Sequence, residues 1–190
     1  MKVIVVTSGK GGVGKDLVVN GLWKNLDSVL IIELDYSTSN LEKSDDVVKP
    51  PKGFTTKVGA KSYIKRSIKL ARKKNVEYVI INTPPTLSNI MTSIIEELDT
   101  FNLVFVTTPS DSSKQDTLRS INFYKINGKS KVLGLVQNMI GDDFGNEFDS
   151  YDELEIKTLV HIELSDRFMD DKLKLLTSKV IDLAVDTKRC

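Results

Sequence analysis

Cysteine is almost absent from this 190-residue chain: the one thiol is Cys190, at the end of the sequence. An internal disulfide framework and a cysteine-built metal site within one chain are both excluded. Histidine is as scarce, with His161 alone; it has no acid–base pair beside it and reads as structural. Long hydrophobic runs are missing too, and no stretch approaches the roughly 20 residues that a membrane-spanning helix needs. The first residues enter a strand-like run without the regions of a secretory signal, so a cytoplasmic location is the expectation. Neither sign of charge dominates, since 27 Lys and Arg against 26 Asp and Glu leave a net charge of +1. Binding to nucleic acid or an anionic membrane must therefore come from a local patch. There is no internal repeat and no low-complexity tract. What remains is an ordinary globular composition, 40% apolar, and a length that predicts a single domain over 1–190.

Apolar, β-branched runs recur along the chain at Val3–Val6, Val29–Leu34, Val76–Ile81, Leu103–Thr107, Val132–Val136 and Ile156–Val160. The first five are nearly continuous in apolar character, as strands buried on both faces of a parallel sheet must be. Between and after them, helices are expected over Leu17–Leu26, Ala60–Lys74, Asn89–Leu98, Lys114–Ile126 and Asp166–Ala184. The alternation predicts an α/β fold, a doubly wound, mostly parallel sheet with helices on both faces. Asp45–Phe54 and Gly141–Ser150 read as loops. Ligands of such sheets bind at the carboxyl ends of the strands, where the loops after Val6, Leu34, Ile81 and Val136 lie.

One of those loops carries chemistry. Ser8-Gly9-Lys10-Gly11-Gly12-Val13-Gly14-Lys15-Asp16 follows a strand and opens a helix, the setting in which G-x-x-x-x-G-K-S/T binds nucleotide phosphates. Gly9, Gly11, Gly12, Val13 and Gly14 let backbone N–H groups turn inward around phosphate oxygens. Lys15 reaches the terminal phosphates, and the helix start from Asp16 and Leu17 adds a favourable dipole. The departure is Asp16, which stands where a hydroxyl normally ligates Mg2+.

With its second lysine, Lys10, the loop resembles the deviant Walker A group of the ParA, MinD, Mrp and nitrogenase-iron-protein superfamily. Four further segments match it in order. Leu30-Ile31-Ile32-Glu33-Leu34-Asp35 resembles the strand that ends in an Asp-x-Asp pair. Tyr78-Val79-Ile80-Ile81-Asn82-Thr83-Pro84-Pro85 resembles the Walker B stretch of the Mrp branch, which normally ends in Asp-Thr-Pro-Pro. Val104–Asp111, with Ile121-Asn122-Phe123, and Gly134-Leu135-Val136-Gln137-Asn138-Met139 are Mrp-like as well. The resemblance implies a P-loop fold, ATP or ADP with Mg2+ as ligands, and an ATP-sandwich homodimer in which Lys10 reaches the partner's nucleotide. It makes Lys10, Lys15 and Asp35 the catalytic residues, with Asp35 placing metal and water. Asn138 would hold the adenine edge, and Asp166 would sit in the late loop that closes over the base.

Two positions depart from that pattern: Asp16 replaces the metal-ligating hydroxyl and Asn82 replaces the Walker B carboxylate. One reading is a swap, in which Asp16 ligates Mg2+ directly, as hard cations favour carboxylate oxygen. The other is decay, in which a carboxylate beside the phosphates opposes them; Asp also suits a first helical turn on its own account. The swap gives a slow ATPase of the partition or positioning type, and decay gives a nucleotide-dependent interaction protein with little or no hydrolysis.

Outside the nucleotide site the family's partners are only partly implied. The Mrp branch carries a Cys-x-x-Cys pair after the Asn-Met segment. This chain has Ile140-Gly141-Asp142-Asp143-Phe144-Gly145 there, so no iron–sulfur cluster is expected. A membrane role would want a basic amphipathic tail, whereas Lys172–Cys190 mixes lysines with Asp182 and Asp186 and reads as a helix packed on the domain. Lys57, Lys61, Lys65, Lys69 and Lys73 recur every four residues, joined by Arg66, Arg72 and Lys74. On a helix they make a basic swath, open to three readings: a solvated face, non-specific DNA binding through phosphate contacts, or an acidic protein partner. Trp23 reads as a packing residue.

Overall fold

The computed structural model describes residues 1–35, 41, 44–51, 56–85, 89–126, 128–141, 150–151, 155–163 and 169–186, with backbone alone at 150–151. Eight strands form one sheet: β1 (Lys2–Thr7), β2 (Val29–Glu33), β3 (Val47–Val48), β4 (Tyr78–Asn82), β5 (Phe101–Thr107), β6 (Ser130–Ile140), β7 (Ser150–Tyr151) and β8 (Ile156–Glu163). Their order is β3-β2-β4-β1-β5-β6-β8-β7. All pairings are parallel except that of β7 with β8.

Strand alternation sends side chains to opposite faces, and each face is closed by helices. On one side Val3, Val5, Leu30, Ile32, Val79 and Ile81 pack under α2 (Lys57–Lys73), α3 (Asn89–Glu97) and α4 (Asp111–Ile126). On the other, Ile4, Val6, Ile31, Ile80, Val104 and Val106 pack under α1 (Lys15–Asn25) and α5 (Met169–Leu183). This is the doubly wound, mostly parallel α/β architecture that the alternation predicts.

Helix positions follow from local sequence. In α2, Ala60, Tyr63, Ile64, Ser67, Ile68 and Ala71 form the buried stripe, the i, i+3, i+4 spacing of a surface helix. Its start is capped by the Thr56 hydroxyl, which accepts from the Gly59 amide at 3.1 Å. The end of α5 is held by cations, as Lys2 Nζ donates to the Ile181 carbonyl and Lys131 Nζ to the Leu183 carbonyl. Positive charge is favoured at that helix end, and Leu173, Leu176 and Val180 seat the helix on the sheet, as expected for the tail.

Several boundaries differ from the sequence-based expectation; α2, for one, begins at Lys57 rather than Ala60, and β4 at Tyr78 rather than Val76. The segment Asp45–Phe54, read as a loop, contains the two-residue strand β3, and β7 is an equally short addition; two residues are too few to show a period. Strand β6 runs past Val136 to Ile140, carrying Asn138 to the phosphate loop and Gln137 to Thr158 of β8. Helix α4 begins at Asp111 rather than Lys114, because its first turn is built from serines. The expected start of the last helix at Asp166, and most of Gly141–Ser150, lie outside the described residues. Among the described residues no helix is long and apolar enough to cross a membrane.

Candidate nucleotide site

Parallel register sets the carboxyl ends of three strands side by side: Val6 and Glu33 both align with Asn82. The loop from Ser8 to Gly14 leaves this edge between β1 and α1. Gly14 takes φ +92°, and a Cβ there would run into the Asn138 side-chain amide. Gly9 has no room for a Cβ against the backbone of Asp116 on α4. Both glycines are fixed by close approach, and Gly14 by its conformation as well. Ser8 Oγ donates to the Lys10 carbonyl at 2.8 Å and closes the loop's first turn.

Lys15 is buried, with Nζ 3.9 Å from Asp35 Oδ2. Burial pulls its pKa below the usual lysine value, and Asp35, Asp16 and Glu33 oppose that shift. A buried ammonium among carboxylates, at a helix start with inward-turning amides, suits anionic phosphate oxygens.

Asn82 lies at the centre of the acids. It is wholly buried, and its Nδ2 donates to Asp16 Oδ1 at 2.9 Å and to Glu33 Oε2 at 3.1 Å. Glu33 Oε1 accepts the Asp35 amide at 2.6 Å. The orientation of the Asn82 amide follows from these partners, since a flip would set its oxygen against two carboxylate oxygens. Asn82 Oδ1 is then buried, with no hydrogen-bond partner among the described residues. Thr83 Oγ1 donates to the Val6 carbonyl at 3.0 Å and ties the end of β4 to β1.

Among the described residues no group of three or more His, Cys, Asp or Glu forms a ready metal cage. Mg2+ at a phosphate site draws on one or two carboxylates plus water and phosphate. Asp16 and Asp35 supply hard oxygen, and the orphaned Asn82 Oδ1 is an acceptor for a water proton. The donor set therefore fits a hydrated Mg2+.

The other expected site residues are distributed as follows. Lys10 is exposed, and its Nζ donates to Ser112 Oγ at 3.1 Å on the first turn of α4. Asn138 Nδ2 donates to the Val13 carbonyl at 2.9 Å, so this side chain braces the phosphate loop. Gly11 and Gly12 are exposed, Val13 is buried and Leu17 is half-buried. Asp166 lies outside the described residues. Glu33, which the motif comparison left without a role, turns out to link Asn82 and Asp35. Its only signal in sequence was the Glu-x-Asp spacing at the end of a strand.

The lysine swath is divided by the fold. Lys57 and Lys61 both pair with Glu96 of α3, Lys57 at 2.6 Å. Lys65, Arg66, Lys69, Arg72 and Lys73 stand exposed farther along α2. His161 is half-buried beside Gln137, 3.5 Å between Nε2 atoms, away from the acids. Trp23 packs on the core under α1.

The family described as NUBPL iron-transfer P-loop NTPase, in the ParA group, matches residues 57–164. An iron–sulfur cluster carrier protein of Rickettsia typhi is 28% identical, with 73% of this chain and 54% of the relative covered. The chain thus spans about half the length of that curated relative. The MinC:MinD cell division protein complex of Aquifex aeolicus is similar in structure, with TM-score 0.71 and 17% identity over 100% of this chain and 99% of that one. MinD of Pyrococcus horikoshii, complexed with Mg-ADP, matches with TM-score 0.66 and 15% identity over 94% of this chain and 95% of that one. At these identities the two structures report the fold alone.

Proposed function

Because the chain belongs to the NUBPL iron-transfer P-loop NTPase family of the ParA/MinD/Mrp superfamily, we propose that it is an ATP-binding, slowly hydrolysing switch that dimerises around nucleotide. The observation that carries this reading is the 2.9 Å hydrogen bond from Asn82 to Asp16. A carboxylate has moved from the end of β4 to the start of α1, and an amide has taken its old place. The acid count near the metal position is unchanged, which favours the swap over decay. The Mg-ADP bound to a structural relative is consistent with the same ligands here.

In this reading Asp16, with Asp35 and Asn82 acting through water, would hold Mg2+, which would supply charge neutralisation to the nucleotide phosphates. Lys15 faces those phosphates, and Lys10 leaves Ser112 to reach a partner's nucleotide. Asp35 orients the attacking water in line with the γ-phosphate. Stabilisation of charge by positioned cations is the main demand of phosphoryl transfer. An amide at 82 polarises that water less than an acid, and turnover is slow. The domain 1–190 acts as one unit, and its output is a dimer shape read by a partner in one nucleotide state. A partition or positioning role in the cytoplasm fits such a switch, with non-specific DNA held through Lys57, Lys61, Lys65, Lys69 and Lys73 as one form of it.

A second reading comes from the cluster-carrier relative. Against it stands Ile140–Gly145 in place of the cysteine pair, and iron–sulfur reconstitution is expected to give no cluster absorbance. Single-turnover hydrolysis of ATP with Mg2+ tests the switch directly. Slow release of phosphate is expected. Tight binding with no phosphate released makes the chain a nucleotide-dependent interaction protein instead.

A further inference from the structure

The geometry points to Glu33 as the positioning residue that fixes which atom Asn82 presents to the metal–phosphate centre. The inference rests on the Mg2+–nucleotide reading above and extends it to a residue that touches neither ligand.

Glu33 is 2% exposed, so each of its oxygens needs a partner. Oε1 accepts from the Asp35 backbone amide at 2.6 Å and Oε2 from Asn82 Nδ2 at 3.1 Å. These two donors sit on opposite oxygens, and only a carboxylate offers two acceptors in that shape. A glutamine has one acceptor and one donor, so it leaves either the Asp35 N–H or the Asn82 NH2 facing another donor. The charge of Glu33 is in turn offset by Lys15, on whose pKa it acts.

The consequence reaches the ligand through Asn82. With Nδ2 held between Asp16 and Glu33, Oδ1 is aimed the other way, buried and without a partner among the described residues. It is an acceptor waiting for a donor, as the protons of a hydrated divalent cation would supply. Asp16 alone satisfies one of the two Nδ2 hydrogens; Glu33 takes the second and removes the flipped alternative. The same side chain holds the backbone of Asp35, so two of the three groups expected around the metal, Asn82 and Asp35, hang from one buried carboxylate. Glu33 and Asn82 are therefore a matched pair, and each is right only because of the other.

The test is calorimetric ATP affinity with Mg2+ and with EDTA, for the parent, Glu33→Gln, Asn82→Asp and the double variant. In the parent background Glu33→Gln should cut the gain from Mg2+ by about tenfold, the cost of one orphaned buried donor. In the Asn82→Asp background the same change should raise that gain. There the introduced amide donates to the introduced carboxylate and still accepts from Asp35. An effect of the same sign in both backgrounds overturns the pairing. A parent whose ATP affinity ignores Mg2+ overturns the nucleotide–metal reading instead. Even then, the Asn82 side-chain amide in nitrogen-15 NMR of the nucleotide-free protein decides the brace. Its protection from exchange should be lost in Glu33→Gln, and retained protection means that Glu33 does not hold it.

Discussion

Lys15 shows how a single residue ties sequence to chemistry. Its burial depresses its pKa while three acids oppose the shift. Phosphate oxygens add to those acids and raise the pKa again. ATP binding should therefore take up protons as pH climbs toward 10.5, and calorimetry in buffers of different ionisation enthalpy reads that uptake. Release of protons would reverse the sign and contradict the assignment. Lys15→Ala should abolish nucleotide binding altogether. Gly14→Ala sets a side chain at φ +92° against Asn138, and should cost about 1–3 kcal/mol in denaturant unfolding; unchanged stability would mean the loop relaxes. The phosphate loop was legible because its residues are contiguous, and its Gly12 and Gly14 take the left-handed backbone that favours glycine. The chain from Asp16 through Asn82 to Glu33 was not, since its members come from three segments that only the strand register brings together. The two departures, Asp16 and Asn82, were visible as odd letters, and the hydrogen bond between them was not.

Among the elements, the paired helices α2 and α3 make the clearest case. Lys57 and Lys61 of α2 hold Glu96 of α3, and their hydrogen bonds draw its pKa below the ordinary 4.5. For a carboxyl with a lowered folded pKa, the stabilising contribution is present above 4.5 and fades as pH falls through the folded value. A carbon-13 titration of Glu96 should give a midpoint below 4.5 that returns toward it in Lys57→Met with Lys61→Met. A midpoint that stays put would show that the lysines do not hold it in solution. The rest of the basic face has another test. Combined Lys65, Lys69 and Lys73 to Glu changes should erase retention of DNA and its steep salt dependence. A parent that retains no DNA at low salt with ATP leaves these lysines as a solvated face. The helices and six of the strands were readable from the alternation of apolar, β-branched runs with the segments between them, whereas β3 and β7 are too short to make such a run. The Glu96 clamp was invisible in sequence because the lysine spacing suggested one uniform face.

For the whole molecule, the carboxyl edge of the sheet gathers the phosphate loop, the acids and the exposed Lys10 on one side. Lys10→Ala should leave ATP binding close to the parent's and weaken ATP-dependent dimerisation, because its role in the proposed dimer lies across the interface. Sedimentation that finds the same nucleotide-dependent dimer in both proteins removes Lys10 from the partner's site. The fold itself followed from alternating strands and helices. The dimer does not follow from those patterns, since a surface lysine at 3.1 Å from Ser112 shows only where the group rests within one chain.

The relocated carboxylate is tested most directly by Mg2+–ATP affinity in four proteins: the parent, Asp16→Thr, Asn82→Asp and the double variant. If the acid has moved from 82 to 16, Asp16→Thr alone leaves the site one acid short and weakens Mg2+-dependent binding. Adding Asn82→Asp then restores it, with coupling of about 0.5–3 kcal/mol between these neighbours. Tighter binding from Asp16→Thr alone, with Asn82→Asp adding its own gain independently, would contradict the swap.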